Sequence, residues 1–305
     1  MIIYEDLHRP SMFLSLYNES GVAAQNRYPN GAAMALAREI GRFFTPELLC
    51  KRLSFRAGDD KVIVFDSGSS PEYLNWLCDK YPEKRVILFF WNPIWPLGFD
   101  RLNPRIEIWT YSKRDSLKYN IRFNSQFYFD VLADEAKDFL PPPFRLHPKV
   151  LFVGREKGRA DALKELYSQL EDAGAEIEQF LVPFPKHLRR FAHLVEKTVP
   201  YRDVVEMMKR ADIILDYSTD PEAGLSLRAM ESLFWGKKLI TNNISILDTD
   251  FYHPGNIYVL GKDKRSFEDF FRCDPTPVAQ PVRDRYRLSH WLKRFDEVTE
   301  CSIHG

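Results

Sequence analysis

Apolar runs and segments of helical spacing alternate along the first half of the chain. The runs KVIVF (61–65), RVILFF (85–90) and RIEIWTYS (105–112) predict strands. Between them, PEYLNWLCDKYP (71–82) spaces its apolar residues three and four positions apart behind a proline, which predicts a helix. The segment NGAAMALAREIGRFF (30–44) predicts another helix. Buried strands separated by helices indicate a parallel sheet that is covered on both faces.

The alternation stops at a proline-rich segment and then begins again. Four prolines lie between Pro141 and Pro148, and proline continues neither a helix nor an inner strand. We therefore predict a first domain at 1–140, a linker at 141–148, a second domain at 149–280 and a closing helix at 281–305. The predicted fold is α/β, with two tandem Rossmann-like domains and a ligand-binding interdomain cleft at the carboxyl ends of the strands.

Composition narrows the class of protein. With 45% hydrophobic and 28% charged residues, the 305-residue chain is of the globular type. Lys and Arg together number 43, as do Asp and Glu, so we expect no nucleic-acid partner. The seven histidines lack a metal-binding spacing, and we expect no metal site. The cysteines form no CxxC pair and indicate reduced thiols; they are Cys50, Cys78, Cys273 and Cys301.

These features predict a cytoplasmic protein. The N-terminal stretch MIIYEDLHRPSMF does not follow the plan of a signal peptide, and VILFFWNPIWPLGF (86–99) is too short and too interrupted by proline to span a membrane. The basic amphipathic stretch FPKHLRRFAHLVEK (184–197) leaves two interpretations open. It is either a membrane-peripheral contact with anionic lipid or a solvated helix face.

Three cations crowd the loop that follows the first strand of the second domain. In LFVGREKGRAD (151–161), Gly154 turns the chain, and Arg155, Lys157 and Arg159 precede the next helix. Guanidinium groups, an ammonium group and the amides of a helix N-terminus suit a phosphate or a pyrophosphate. The alternative is a solvated basic turn. No strand is followed by GxGxxG, so the dinucleotide fingerprint is missing.

A second loop leads into a helix with a glycine at its entrance. In TDPEAGLS (219–226), Gly224 permits close approach of a ligand to the backbone. The amides of Gly224, Leu225 and Ser226 lie where the helix begins, and an anion there gains ~0.3–1 kcal/mol from the helix dipole. Ser226 is alternatively an ordinary N-cap.

The same helix carries a carboxylate. Glu231 lies beside an apolar stripe and therefore needs a partner. That partner is either the pair of hydroxyls of a ribose, which a carboxylate can grip by two hydrogen bonds, or a salt bridge with Arg228 or Lys237.

Three segments together resemble a known family. VGREKGR, VPYRDVVEMMKRADIILDYS and EAGLSLRAMESLFWGKKLIT occur in this order between Lys149 and Gly261. The set resembles the donor-binding half of GT-B glycosyltransferases, and most closely the bacterial enzymes that build surface polysaccharides such as lipopolysaccharide, capsule and exopolysaccharide. Glu231 lies five residues before Gly236, which matches the spacing of that family.

The resemblance implies a metal-independent, cofactor-free transferase. It would move a sugar from a nucleotide-sugar donor to a saccharide or lipid-linked acceptor. Arg155 and Lys157 would neutralise the diphosphate, Glu231 would hold the ribose, and Arg228 would contact a phosphate or pair with an acid. The implied donor-binding set is Gly154, Arg155, Lys157, Glu222, Gly224, Leu225, Ser226, Arg228 and Glu231. Glu222 departs from the family by lying nine rather than eight residues before the helix glutamate.

The first domain would bind the acceptor, and 281–305 would pack back on it as GT-B tails do. Asp66 follows a buried strand and is the best-placed catalytic base for an inverting reaction, alongside the implied catalytic roles of Arg155 and Lys157. Its alternative role is a helix cap before Pro71. Other acceptor-side candidates are Glu5, Asp6, His8, Glu19, Ser67 to Ser70, Trp91, Asn92 and Trp95.

Two other functions use the same residues. One is a nucleotide-sugar epimerase, which needs more acids and histidines in the cleft than the sequence offers. The other is a non-catalytic, glycosyltransferase-like partner subunit. A second copy of the chain is a further candidate partner.

Overall fold

Parallel sheets form the centre of both halves of the chain. The structure is a computed structural model, and it describes residues 1–4, 13–27, 50–66, 69–94, 99–140, 145, 147–182 and 199–297. It consists of two units, Met1–Phe123 and Asn124–Gly305. The predicted α/β class, with two parallel sheets, is confirmed. The interdomain cleft stays a prediction.

The first unit contains a six-stranded sheet in the order β2-β1-β3-β4-β5-β6, with every neighbouring pair parallel. Its strands are β1 Ile2–Tyr4, β2 Ala24–Asn26, β3 Lys61–Phe65, β4 Arg85–Phe90, β5 Glu107–Thr110 and β6 Arg122–Phe123. Its helices are α1 Leu14–Glu19, α2 Pro71–Lys80 and α3 Lys113–Tyr119, with a 3₁₀ turn at Phe99–Arg101. The predicted helix at 30–44 lies outside the described residues.

Local sequence explains these elements. The strand β3 is buried from Val62 to Phe65, as its uninterrupted apolar run predicts. Helix α2 begins with Pro71 in its first turn, and the Ser70 hydroxyl accepts a hydrogen bond from the Tyr73 N–H at 3.3 Å. The predicted strands and helix of this region are therefore confirmed.

The second unit contains a five-stranded parallel sheet in the order β11-β10-β9-β7-β8. Its strands are β7 Lys149–Arg155, β8 Glu176–Val182, β9 Ile213–Asp216, β10 Lys238–Thr241 and β11 Ile257–Val259. Its helices are α4 Asp130–Lys137, α5 Ala160–Asp172, α6 Tyr201–Arg210, α7 Leu227–Trp235, α8 Phe267–Arg272, α9 Gln280–Asp284 and α10 Leu288–Lys293, with a 3₁₀ turn at Ile244–Asp248. Strand order reverses between β7 and β9, which makes their carboxyl ends the topological switch point.

The two units divide before the predicted linker. Residues 124–140, which the sequence assigned to the first domain, belong to the second unit. Helix α4 packs against α7. The Tyr128 N–H donates to the Tyr286 carbonyl at 2.7 Å, and the Tyr128 carbonyl accepts from the Leu288 N–H at 2.8 Å. These long-range contacts hold the segment to the end of the chain.

The predicted closing helix is two short helices over its described part. Between α9 and α10 the backbone of Arg287 is extended, with φ −71° and ψ 148°. There it forms a parallel bridge with Tyr128, and its guanidinium Nε donates to Asp130 Oδ1 at 2.7 Å. These tertiary bonds outweigh the helical pattern of the local sequence. Residues 124–130, the target of these contacts, fall in the predicted first domain but in the observed second unit.

Two adjacent lysines are buried in the second unit. Lys237 Nζ donates to the carbonyl oxygens of Lys209 at 3.0 Å and Ala211 at 2.6 Å, at the C-terminal end of α6. Lys238 Nζ donates to the Phe270 carbonyl at 2.6 Å and to the Cys273 carbonyl, at the C-terminal end of α8. Each ammonium group supplies donors for carbonyls that the helix leaves without partners. Burial lowers the pKa of both lysines to about 8.

Candidate functional site

The predicted phosphate-binding residues meet at the switch point of the second sheet. Strand β7 ends at Gly154 and Arg155, and β9 ends at Asp216. Helix α5 begins shortly after β7, and α7 follows the loop after β9. Ligands of open α/β sheets bind where strand order reverses. The position of these residues therefore fits a binding site.

Two guanidinium groups converge over Gly154. Arg228, in the first turn of α7, donates to the Val153 carbonyl from Nη2 at 2.7 Å and from Nε at 3.1 Å. Arg159, at the start of α5, donates to the Arg155 carbonyl from Nη2 at 2.8 Å and also to the Tyr217 carbonyl. A Cβ atom on Gly154 would lie 2.6 Å from Arg228 Nη2 and 2.9 Å from Arg159 Nη2. Only glycine leaves room for both side chains.

Four cations share this neighbourhood, and we call Arg155, Lys157, Arg159 and Arg228 the Gly154 cluster. The guanidinium groups of Arg159 and Arg228 lie over the ring of Phe152, 5.0 and 5.2 Å from its centre. Burial, reinforced by the charge of Arg228, lowers the pKa of Arg159 to about 10. Desolvation by the surrounding protein and then the three neighbouring guanidinium groups lower the pKa of Lys157. The like charges of these side chains repel one another.

A buried carboxylate offsets part of this charge. Arg228 Nη1 lies 3.2 Å from Asp216 Oδ1, and Asp216 Oδ2 accepts from the Thr241 hydroxyl at 3.0 Å. Asp216 is 2% exposed. This ion pair joins the end of β9 to the Gly154 cluster. The cluster gathers four basic side chains, which favours a multiply charged anion as its ligand.

The loop before α7 presents backbone amides. The Gly224 carbonyl accepts from Asn243 Nδ2 at 2.9 Å, and the Leu225 carbonyl accepts from Gln126 Nε2 at 3.3 Å. Among the described residues, no hydrogen bond occupies the N–H groups of Gly224, Leu225 and Ser226. Side chains hold the carbonyls of Gly224 and Leu225, which positions the amides of this loop at the positive end of the helix dipole.

The side chains of this loop have separate roles. The Ser226 hydroxyl accepts from the Ala229 N–H at 3.2 Å and is the N-cap of α7. The ordinary capping role considered for Ser226 is therefore observed. Glu222 lies on the exposed surface of the loop, and its contact with a donor sugar stays a prediction.

Glu231 is buried inside the second unit. It is 5% exposed, and its Oε1 accepts from the Tyr201 hydroxyl at 2.7 Å. Burial raises the pKa of Glu231, and the hydrogen bond from Tyr201 and the charge of Arg228 oppose that rise. The two salt-bridge partners considered from the sequence bind other groups. Arg228 pairs with Asp216, and Lys237 Nζ donates to the Ala211 carbonyl at the C-terminal end of α6. Its role toward ribose stays a prediction.

Asp66 connects two loops of the first unit. Its Oδ1 accepts from the Trp91 N–H at 2.9 Å, and Asn92 Nδ2 donates to Oδ2 at 3.0 Å. Burial raises the pKa of Asp66 to about 6, against these hydrogen bonds. The helix cap that the sequence considered for Asp66 is instead formed by Ser70. The base role of Asp66 stays a prediction.

The remaining acceptor-side candidates divide into two groups. The ring of Trp91 packs against Phe65 and Phe13, with centroids 5.0 and 5.7 Å apart. Glu5, Asp6, His8, Ser67 and Trp95 lie outside the described residues, as does the basic stretch 184–197. None of the described helices has the length and apolar composition to cross a bilayer.

The contacts of four residues in the site were not predicted from the sequence. Arg159 was predicted as one of three phosphate-binding cations, but its bonds to the carbonyls of Arg155 and Tyr217 were not. Asp216 ends the strand DIILD, which is a usable signal at a switch point. Gln126 and Tyr201 act from distant positions; Tyr201 lies in the second of the three family-like segments, but no role was predicted for it.

Comparisons with known proteins give distant structural similarity. No protein-family model matches the sequence, and no curated protein does. The catalytic domain of Starch Synthase IV from Arabidopsis thaliana, bound to ADP and acarbose, is similar with a TM-score of 0.41 and 10% identity over 74% of this chain and 67% of that one. The Glycosylation Associate Protein (Gap123) complex from Streptococcus agalactiae gives a TM-score of 0.34 and 12% identity over 77% of this chain. The chain spans 51% of that Gap123 chain.

Proposed function

We propose that the protein is a glycosyltransferase that moves a sugar from a nucleotide-sugar to a saccharide or lipid-linked acceptor in the synthesis of cell-surface polysaccharide. The observation that carries the proposal is the Gly154 cluster at the switch point. The amides before α7 follow it along the chain, in the order of a donor site. The ordered resemblance to surface-polysaccharide glycosyltransferases supports the substrate class.

The cluster supports an electrostatic mechanism. When a glycosidic bond to a nucleoside diphosphate breaks, negative charge grows on the departing phosphate. Fixed guanidinium groups and helix-end amides stabilise such charge without rearranging during the reaction. Arg159 and Arg228 are already held by backbone carbonyls, so they are preorganised for this role. Arg155 and Lys157 complete the charge, and the reaction as proposed uses these cations in place of a metal ion.

The nucleoside side of the donor is assigned to Glu231. It lies three positions after Arg228 on α7, and residues at this spacing share a helix face. Diphosphate and ribose are adjacent in every nucleotide-sugar, which suits this spacing.

The acceptor side is assigned to Asp66. A pKa of about 6 leaves this carboxylate ionised at neutral pH and able to take a proton from a sugar hydroxyl. Asp66 is therefore the proposed base of an inverting reaction.

A nucleotide panel tests the proposal. The melting temperature is measured with UDP, GDP, CDP, CMP, ADP and TDP for the wild type, for Arg155→Ala and for Arg272→Ala. Arg272 is a matched control because its exposed side chain lies on α8, with Asp269 as its partner. A nucleotide at about 100 times its Kd is expected to stabilise the wild type and Arg272→Ala by ~2.7 kcal/mol, and Arg155→Ala much less.

The other functions give different results. Stabilisation by no nucleotide contradicts the donor site. Stabilisation without release of sugar from any donor, with or without acceptor, favours the partner subunit. Conversion of the donor to its epimer, followed by NMR, favours the epimerase.

A further inference from the structure

A chain of buried polar groups ends at Glu231. The indole Nε1 of Trp235 donates to the Tyr128 hydroxyl at 2.7 Å. The Tyr201 hydroxyl donates to Glu231 Oε1 at 2.7 Å, and the Tyr128 hydroxyl lies beside that of Tyr201. Tyr128 is fully buried, and Trp235, Tyr201 and Glu231 are at most 5% exposed. The chain thus links the end of α7 to its middle through two side chains from other segments.

The chemistry of the groups fixes the direction of this chain. An indole N–H can only donate, so the Tyr128 oxygen accepts from Trp235 and keeps its own proton for a second partner. Tyr201 gives its single proton to Glu231, so toward Tyr128 it can only accept. Proton donation among these groups can therefore run only toward the carboxylate.

The rings that carry the hydroxyls are themselves fixed. Tyr128 stacks on Phe234 with ring centroids 5.0 Å apart, and Tyr201 meets the edge of Phe129 at 6.4 Å. A phenylalanine at either position would keep these contacts and remove the hydroxyl alone. The hydroxyl chain can therefore be changed without changing the packing around it.

We propose that Tyr201, oriented by Tyr128 and Trp235, is a positioning residue that fixes the Glu231 carboxylate and leaves its Oε2 to accept a ribose hydroxyl. This assignment rests on the proposed function. With Oε1 committed to Tyr201, the carboxylate has one orientation, and a nucleotide that lacks the hydroxyl leaves a buried oxygen without a partner. Preference for ribonucleotides over deoxyribonucleotides then depends on a tyrosine that need not touch the ligand.

Calorimetric titrations test this. UDP, GDP, CDP and ADP, their 2′-deoxy counterparts and inorganic pyrophosphate are titrated into the wild type, Tyr201→Phe, Tyr128→Phe and Glu231→Gln. Tyr258→Phe is the matched control, because the buried Tyr258 hydroxyl donates to the Arg265 carbonyl at 2.8 Å, away from the chain. Melting temperatures are recorded for all five proteins.

The ratio of ribonucleotide to deoxyribonucleotide affinity tests the positioning role of Tyr201. We expect a ratio of about tenfold in the wild type and in Tyr258→Phe, falling to about twofold in Tyr201→Phe and to an intermediate value in Tyr128→Phe. Pyrophosphate affinity should be the same in all of them, since it depends on the Gly154 cluster. A purely structural role for Tyr201 would lower the melting temperature and leave the ratio unchanged.

The two proposals fail differently. If Glu231→Gln loses the ratio while Tyr201→Phe and Tyr128→Phe keep it, the positioning role is wrong and the donor site stands. If the wild type binds none of the nucleotides, the proposed function is wrong and the positioning role with it. If Tyr201→Phe does not fold, the ratio in Tyr128→Phe decides.

Discussion

At the scale of single residues, Gly154 matters for the side chain that it lacks. A Cβ atom there would displace the guanidinium groups of Arg228 and Arg159, each of which is tied to a backbone carbonyl. We expect Gly154→Ala to weaken binding of the stabilising nucleotide about tenfold and to lower the free energy of unfolding by ~1–3 kcal/mol. Calorimetric titration and urea unfolding measure the two effects.

A second glycine provides the control for this prediction. Gly261 has φ +76° and no neighbour within 4 Å of an added Cβ, so Gly261→Ala strains the backbone without touching the cluster. It should lower stability and keep the nucleotide affinity. Equal loss of affinity in both variants would mean that Gly154 acts only through stability.

Asp66 makes the stability of the first unit depend on pH. Its pKa is about 6 in the folded protein and 3.8 ordinarily, so the folded state binds the proton more tightly. The contribution to stability is present below about pH 4, is lost as the pH rises through about 6, and amounts to ~2–3 kcal/mol. We expect Asp66→Asn to remove this pH dependence, as measured by urea unfolding of the first unit across that range. The same slope in wild type and variant would contradict the buried titration.

At the scale of elements, α7 separates capping from binding. The Ser226 hydroxyl is committed to the Ala229 N–H, so we expect Ser226→Ala to cost ~1 kcal/mol of stability and to leave nucleotide affinity intact. Ser226→Asp can restore the cap, but it places a negative charge where the phosphate is proposed to bind. We expect it to keep stability and to weaken nucleotide binding about tenfold. Weaker binding in Ser226→Ala would show that the hydroxyl itself contacts the ligand.

Sequence periodicity was sufficient for the regular elements near the site. The uninterrupted apolar runs became inner strands because both faces of a parallel sheet are covered. Helix α7 ends at Gly236, whose φ of 62° is one that glycine adopts readily, as the Trp-Gly-Lys sequence predicts. The basic loop after β7 and the glycine loop before α7 were likewise visible as motifs. Local sequence therefore located the cluster and the amides.

Partners across long separations were not accessible in the same way. Tyr201 lies 30 residues from Glu231, and Gln126 lies 99 residues from Leu225. No periodicity joins such positions. The predicted helix at 281–305 breaks at Arg287 for the same reason, because bonds to residues 128–130 decide the conformation there. Tertiary hydrogen bonds selected these features, and a single sequence does not encode them locally.

At the scale of the whole molecule, residues 124–140 belong with the second unit. The ring of Phe127 lies 4.6 Å from that of the buried Trp291, and Arg287 pairs with Asp130. We expect a fragment of residues 124–305 to fold and to bind the stabilising nucleotide. A fragment of residues 141–305 loses these contacts and should not fold cooperatively.

Thermal unfolding of the two fragments, followed by circular dichroism, measures this difference. Trp291→Ala in the longer fragment offers a graded version, with an expected loss of ~3–5 kcal/mol for a large buried side chain. Cooperative folding of the shorter fragment would place the boundary at the prolines instead.

The buried lysines at the edge of β10 give the second unit two internal chemical reporters. An amine attacks an acylating reagent in its neutral form, so acetylation in mildly alkaline solution labels these lysines once they are exposed. Both amines are covered, at 5% and 1% exposure for Lys237 and Lys238, so acylation has to wait for opening. The rate of acetylation, followed by mass spectrometry, would thus measure how fast α6 separates from Lys237 and α8 from Lys238. Two neighbouring positions on one peptide would record whether the two flanks of the sheet open together.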